Sequence, residues 1–146
     1  MKDYLQDLIT HTNGLGDVDL IKVSGTDTET TINAISEKKT VIVSGVLNSP
    51  IADFIGVFGM PNLDKLALHL KNPEYKEGAN IEVIKQVRNG VEIPTSLHFE
   101  NAAKDFRNDY RFMNSDIINE KLKTVKFKGA AWDVAFEPSV ASIGRL

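Results

Sequence analysis

The pattern of apolar and polar residues changes its period once within a short stretch, FIGVFGMPNLDKLALHLKN, which spans Phe54 to Asn72. Up to Met60 the residues are mostly apolar, aromatic or glycine, which is typical of a buried strand. Beyond Asn62 the apolar residues recur three or four positions apart, which indicates one face of a helix: Leu63, Leu66, Ala67 and Leu70. Asn62 is the predicted N-cap and Pro73 the stop. The stretch therefore predicts a strand that leads into a short amphipathic helix.

The first fifty residues predict one helix and three strands. Lys2–Thr12 has an apolar side and a polar side, as in a surface helix. Val18–Val23 and Thr30–Ile35 alternate apolar and polar residues and form a predicted hairpin, and Thr40–Leu47 reads as a third strand.

A second hairpin is predicted from Ile81–Val87 and Val91–Phe99, with Asn89-Gly90 between them. A two-residue turn places the apolar residues of the two strands on opposite faces, which spoils a common core. A three-residue loop, Arg88 to Gly90, with a left-handed Gly90 in a bulge, avoids this conflict. That loop predicts three pairs: Val87 with Val91, Val83 with Thr95, and Ile81 with Leu97.

The region from Ala102 to Leu122 is polar and keeps no regular period, so we interpret it as a linker across the surface. Its scattered large side chains are either anchors for a partner or covers over the edge of the core: Phe106, Tyr110, Phe112 and Met113.

The last residues predict a strand and a helix without a core of their own. Thr124–Phe136 has an extended pattern, and Glu137-Pro138 opens a helix with proline at its first position. A strand followed by a Pro-marked helix also occurs at 55–61, as a coarse repeat. We therefore expect a complete first domain at 1–103, a connector at 104–123, and a truncated second domain at 124–146.

Composition limits the class of protein. With 146 residues, of which 42% are hydrophobic, the chain buries one ordinary core and begins a second. It has no cysteine, which excludes thiol nucleophiles, disulfides and cysteine-ligated zinc. No membrane span or signal peptide is evident, so a cytoplasmic protein is expected.

The net charge of -3 divides unevenly along the chain. Residues 1–103 hold 9 Lys and Arg against 14 Asp and Glu, whereas residues 104–146 hold 8 against 6. The total net charge is not the positive charge typical of a nucleic-acid-binding domain. Any contact with phosphates therefore depends on the local arrangement of basic side chains.

Motifs for catalysis and metal binding are not found in the sequence. The three histidines, His11, His69 and His98, are far apart without ligands at metal spacing. No nucleophile elbow, phosphate-binding loop or dinucleotide fingerprint occurs. We therefore expect no enzyme activity, no cofactor and no metal. The predicted helix faces do carry basic residues, as an ordinary solvated surface also does: Lys65, His69, Lys71, Lys2 and Arg145.

The order of predicted elements, together with the run KTVIVSGVLNSPIADFIGVFGMPNLDKLALHLKN from Lys39 to Asn72, resembles the sliding clamps of T-even-type tailed bacteriophages. These are the processivity factors of the phage DNA polymerase. The resemblance rests on order and spacing over most of the chain. It implies an α+β protein with the DNA clamp fold, in which an antiparallel sheet has short helices packed on one face.

The resemblance also implies a function without catalysis. Such subunits form a homo-oligomeric ring around duplex DNA, are opened by an ATP-driven clamp loader, and tether the DNA polymerase through a hydrophobic surface near the connector. They also serve late transcription. By position, the residues expected to face DNA are Lys65, His69, Lys71, Lys2 and Arg145. The residues expected to bind a partner are Phe106, Tyr110, Phe112 and Met113.

The chain departs from the family in two ways. Asp3 and Asp7 lie on the polar side of the first predicted helix, where DNA contact calls for positive charge. The chain is also much shorter than a clamp subunit, so we expect a truncated product that cannot close a ring. The alternative is a β-rich phage binding or structural protein that acts through protein-protein contacts, and a third reading is a small enzyme of unrecognised type.

Overall fold

The computed structural model describes residues 1–15, 17–123 and 131–144. It confirms an α+β protein with antiparallel sheets and short helices. The helices are α1 (Lys2–Thr12), α2 (Leu63–Lys71), α3 (Ser115–Lys121) and α4 (Val140–Ile143). The strands are β1 (Leu20–Gly25), β2 (Thr30–Ile35), β3 (Ile42–Val46), β4 (Gly56–Pro61), β5 (Asn80–Arg88), β6 (Val91–Glu100) and β7 (Arg107–Arg111). Two short 3₁₀ turns lie at Ala52–Phe54 and Pro73–Tyr75.

Sheet A has the strand order β3-β2-β1-β4, and all its neighbours are antiparallel. Ile21 pairs with Met60 and Val23 pairs with Phe58, and all four side chains are buried. The intervening pair, Lys22 and Gly59, therefore lies on the opposite, outer face of the sheet. The alternation predicted from the sequence thus places one face of sheet A in the core.

Sheet B has the order β5-β6-β7, and its hairpin uses the turn that the sequence argument rejected. Asn89 and Gly90 have φ of 52° and 79°, as in a two-residue type I′ turn, and Arg88 pairs with Val91. The predicted three-residue loop and its pairs are therefore wrong. An extra residue farther along β6 removes the conflict, because Lys85 pairs with Pro94 while Ile84 pairs with Ser96.

Thr95 is the extra residue, and it forms a β-bulge that returns the apolar side chains to one face. Beyond it, Val83 pairs with Leu97 and Ile81 with Phe99. The hydroxyl of Thr95 donates to the carbonyl of Ile84 at 3.1 Å. The turn and the core therefore both keep their preferred register.

The two long helices lie antiparallel on the core. The side chain of Asn13, after α1, donates to Asp64 in the first turn of α2 at 3.0 Å. Lys2, at the start of α1, donates to the carbonyls of Tyr75 and Lys76, just after α2. Each helix is followed by three consecutive antiparallel strands, so the plan of one helix and a meander occurs twice.

Asn62 precedes α2 as predicted, although its side chain makes no capping hydrogen bond. It adopts the left-handed conformation with φ of 55°, which asparagine tolerates better than most residues. The side chain of Asp19 instead accepts from the amide of Leu63 at 2.9 Å. A residue far away in sequence therefore caps this helix.

The region predicted as a linker contains regular structure, the strand β7 and the helix α3, although its sequence keeps no regular period. β7 pairs with β6, and Tyr110 joins the same core as α1 and α2. The first structural unit therefore continues beyond residue 103. After β7, α3 lies on the outer face of sheet A, where Ile118 is fully buried over Gly59.

The described part of the C-terminal region contains one short helix. Ala131 to Phe136 is assigned no strand, and the residues at 124–130 of the predicted strand lie outside the described residues. α4 begins after Ser139, whose hydroxyl accepts from Ser142, so Pro138 precedes the helix instead of opening it. Among the described helices, none has the length and apolar character needed to cross a membrane.

Candidate DNA-facing and partner-docking surfaces

The exposed sides of α1 and α2 form one surface, which we call the helix-pair face. The apolar stripes of both helices point into the core, with Leu5 and Leu8 on α1 and Leu66 and Leu70 on α2. This periodicity leaves the opposite side of each helix in solvent. The exposed residues of the face are Asp3, Tyr4, Gln6, Asp7, Thr10, His11, Asp64, Lys65, Leu68 and Lys71.

Lys65 and Lys71 lie on the helix-pair face, where the sequence predicted DNA contacts. Both side chains are exposed, and they are separated by almost two turns of α2. Leu68 lies between them and is 69% exposed. These two lysines are the predicted DNA-facing residues that the structure leaves accessible.

His69 turns towards sheet B. Its ring stacks on Phe99 with a centroid distance of 5.3 Å and an interplanar angle of 26°. Its Nε2 atom is buried without a hydrogen-bond partner in the described structure. Burial, together with the nearby charge of Lys65, lowers the pKa of His69. His69 therefore packs against sheet B and does not belong to the exposed DNA-facing set.

Lys2 is also engaged inside the molecule. Its ammonium donates to the carbonyl of Tyr75 and, at 3.2 Å, to that of Lys76, so it satisfies backbone groups at the end of a 3₁₀ turn. Lys2 therefore stabilises the fold through these hydrogen bonds and is not available to contact DNA. Arg145, the last of the predicted DNA-facing residues, lies outside the described residues.

The helix-pair face is electrostatically mixed. α1 and α2 together carry three aspartates and three lysines, and one of those lysines, Lys2, is tied to carbonyls. The two accessible lysines therefore share the face with Asp3, Asp7 and Asp64. Any phosphate contact here is weak and independent of base sequence.

The four predicted partner-binding residues do not form one cluster, because they lie at both ends of β7. Phe106, before the strand, is 38% exposed and packs on Tyr75 with a centroid distance of 5.7 Å. Phe112 and Met113 follow the strand at its other end. Phe106 is therefore a cover over the core edge, remote from the other three residues.

Tyr110 belongs to the core and is not available to a partner. It is 1% exposed, and its hydroxyl donates to the carbonyl of Pro61 at 2.5 Å. Burial raises the pKa of Tyr110, and the negative charge of Asp19 raises it further. The assignment of Tyr110 to a partner surface is therefore corrected, because the alternation in β7 points this side chain inward.

Phe112 and Met113 line an open trough between α2, β7 and α3, which we call the connector trough. The trough has a volume of about 380 Å³. Phe112 makes an edge contact with Phe58 at 5.3 Å between ring centroids, so it is half-buried. The amide of Met113 donates to the carbonyl of Gly59 at 2.8 Å and joins the trough to sheet A.

Several residues that line the connector trough are not among the residues predicted from the sequence, and two of them bear on binding. Ile117 on α3 is 48% exposed, and Arg111 ends β7. The apolar position next to the buried Ile118 was the available signal for Ile117, and it depended on recognising α3. The trough thus combines apolar side chains with the positive charges of Lys65 and Arg111 and the negative charge of Asp109.

No group of three or more His, Cys, Asp or Glu side chains in the described residues has the geometry of a metal site. No protein-family model matches the chain, and no curated protein matches it.

Proposed function

We propose that this chain is a sliding-clamp subunit or fragment with the DNA clamp fold, which encircles duplex DNA and tethers a replicative DNA polymerase. The observation that carries the proposal is the repeated plan of one helix and a three-strand meander. The two helices lie side by side, so that a ring of such units presents helices inward and sheets outward. The family resemblance in the sequence supports the same arrangement.

The mixed charge of the helix-pair face is compatible with this function. A ring holds DNA by topology, and weak, sequence-independent phosphate contacts are sufficient for sliding. Lys65 and Lys71 supply such contacts from α2. The functional consequence is retention on DNA without tight binding.

The connector trough is the proposed site for the polymerase tail. Phe112, Met113 and Ile117 offer apolar contacts, and Lys65 and Arg111 offer positive charge to an acidic residue or a terminal carboxylate. The other partners under this proposal are an ATP-driven clamp loader, late transcription machinery and further copies of the subunit. All of these act in the cytoplasm of a phage-infected cell.

The test uses the protein as its gene encodes it, loaded by its clamp loader and ATP on nicked circular DNA. We expect the protein to stay on the circle and to leave once the DNA is linearised, because a topological link requires closed DNA. If the protein dissociates equally fast from circular and from linear DNA, the clamp function is rejected.

Lys65→Glu is expected to shorten the lifetime on circular DNA severalfold, since it replaces an attraction to phosphate by a repulsion. Folding should be unchanged, because the Lys65 side chain is exposed. The matched control is Lys104→Glu, at an exposed position in the loop before β7. A parallel loss of thermal stability would make Lys65 structural and remove it from the DNA-facing set.

The second candidate is a β-rich phage binding or structural protein. The balance of aspartate and lysine on the helix-pair face favours it, as does the apolar connector trough. This candidate predicts a stable complex with a protein partner and no difference between circular and linear DNA. The same retention experiment therefore separates the two functions.

A further inference from the structure

The outer face of sheet B carries a pocket at the β-bulge, and we call it the bulge pocket. Its volume is about 360 Å³, and it is lined by side chains of all three strands together with Phe112 and Asn114. A bulge bends its strand and increases the local twist, so the sheet is concave near Thr95. The amide of Phe112 donates to the carbonyl of Thr95 at 2.9 Å, which places the chain after β7 at one end of the pocket.

The floor of the bulge pocket is aliphatic. Val83 packs against the core, so the alternation of β5 directs Ile84 and Arg88 to the outer face. Ile93 lies opposite Gln86 and also lines the pocket. Ile84 is 37% exposed and Ile93 is half-buried, so both offer apolar surface to a ligand.

The charges of sheet B leave two arginines without an acidic partner. Each acidic side chain of the three strands already has a partner: Glu82 has Asn80, Glu92 has Lys85, Glu100 has Arg107, and Asp109, which lines the pocket, has His98 at 2.8 Å. Among the described residues, Arg88 and Arg111 form no ion pair, and both line the bulge pocket. A ligand that brings carboxylates to these two arginines gains charge-assisted hydrogen bonds without breaking an existing ion pair.

The separation of the two arginines indicates the shape of the ligand. Arg111 lies opposite Ser96, Ser96 lies opposite Ile84, and Arg88 is four residues farther along β5. At about 3.3 Å per residue, this is about 13 Å along the strand direction. The separation fits an extended segment that has acidic residues at both ends and aliphatic residues between them.

The lining of the pocket favours a peptide over single-stranded nucleic acid. Bases bind sheet surfaces by stacking on aromatic side chains. The ring of Phe112 already packs edge-on against Phe58 and Tyr110, with centroid distances of 5.3 and 6.2 Å. The accessible floor is made by Ile84 and Ile93 instead, which are contacts for aliphatic side chains.

We propose that the bulge pocket binds an extended acidic segment of another protein. Its acidic residues pair with Arg88 and Arg111, and its aliphatic residues lie on the floor between them. Arg88 lines the bulge pocket but not the connector trough, whereas Lys65 and Ile117 line the trough but not the bulge pocket. Binding at Arg88 needs neither DNA nor a ring, so this inference is independent of the proposed clamp function.

The test measures the fluorescence anisotropy of a labelled peptide, Asp-Glu-Val-Ile-Glu-Asp with blocked termini, during titration with the full chain. We expect saturable binding that weakens as salt is added, because exposed ion pairs are screened. The matched peptide Asn-Gln-Val-Ile-Gln-Asn keeps the shape without the carboxylates and should bind about tenfold more weakly. Absence of saturable binding, or equal binding of the two peptides, would reject the proposal.

Arg88→Ser is expected to weaken binding of the acidic peptide about fivefold, since one exposed ion pair is lost. Arg107→Ser is the matched control and should leave binding unchanged, because this guanidinium lies outside the pocket and bonds to Glu100 at 2.8 Å. The circular dichroism of both variants should be unchanged, because both side chains are exposed. An unchanged affinity of Arg88→Ser would overturn the assignment.

Three further outcomes would replace the proposed ligand or site. Weaker binding by Ile117→Ala with none by Arg88→Ser would place the peptide in the connector trough. Tighter binding of a labelled oligothymidylate that Arg88→Ser abolishes would make the ligand single-stranded nucleic acid. Self-association of the unmodified chain that Arg88→Ser abolishes would make the occupant a second copy. Each of these results contradicts an acidic segment of another protein as the occupant.

Discussion

Sheet A and sheet B follow the same plan of a helix and a three-strand meander, but their outer faces differ. The outer face of sheet A carries α3, which is fixed by the buried Ile118 and by the ammonium of Lys22 on the carbonyl of Leu122 at 3.3 Å. Among the described residues, no helix covers the outer face of sheet B, and its hairpin extends beyond β7 with Val87 and Val91 exposed. The same plan thus gives sheet A an outer face that is covered by α3. It gives sheet B a hairpin end that extends beyond β7, which we call the arm.

The difference shows where this fold tolerates change. On sheet A, the outer-face residues that lie under α3, such as Gly59 and Lys22, are packed closely. On sheet B, the same alternation leaves outer residues in solvent. The location of α3, rather than the strand sequence, determines how much folding stability is lost by a substitution on the outer face.

The largest effect is expected at Gly59, under α3. A Cβ atom there would lie 2.8 Å from the Cβ of Met113 and 3.0 Å from that of Ile118, so Gly59→Val must displace α3. We expect a loss of about 3 kcal/mol in the free energy of unfolding, measured with urea. Gly45→Val, on the open edge of the same sheet, is the control and should change stability by about 0.5 kcal/mol or less. Equal losses at both glycines would refute the covering role of α3.

An intermediate effect is expected at Tyr110, which joins the two sheets. Tyr110→Phe removes the hydroxyl that donates to the carbonyl of Pro61 in β4 and leaves that carbonyl without this donor. We expect a loss of about 1.5 kcal/mol in the free energy of unfolding. Tyr4→Phe removes an exposed hydroxyl from α1 and should be neutral. A neutral Tyr110→Phe would show that packing alone holds this junction.

The smallest effect is expected at His69, on the sheet B side, and it depends on pH. Because the pKa of His69 is lower in the folded chain than the ordinary value of 6.5, the unfolded chain binds the proton more tightly. Its contribution to stability is complete above pH 6.5 and is lost as the pH falls towards the folded pKa.

The measurement for His69 is the urea midpoint of the original chain and of His69→Phe between pH 7.5 and 5. We expect the original chain to lose more stability over this range than the variant. An identical slope for His69→Phe would show that this ring does not titrate differently in the fold.

The sequence was sufficient for the elements whose partners are near in the chain. Both long helices and the first hairpin follow the predicted periods, because their apolar positions repeat regularly. β7 escaped prediction because its side chains Arg107, Asp109 and Arg111 are polar and outward, and Tyr110 is its single buried apolar residue. α3 was missed because seven residues hold too few periodic positions.

The functional surfaces were harder to predict, because they depend on contacts between residues far apart in sequence. The acceptors of Lys2 lie more than seventy residues away, and the stacking partner of His69 is Phe99 on another element. A helical pattern shows which side chains leave the core, but it does not show which charges find a partner. Lys65 and Lys71 retained their predicted exposure because nothing folds over that part of α2 in the described residues.

The bulge at Thr95 also bears on how the length of this protein can vary. The bulge separates the register of the arm, set at Asn89-Gly90, from the register of the core, set at Leu97. Adding one residue to each strand between these points lengthens the arm by about 3.4 Å and leaves the core pairs unchanged. The arm of sheet B is therefore a place where insertions in matched pairs change the reach of the molecule while its interior stays the same.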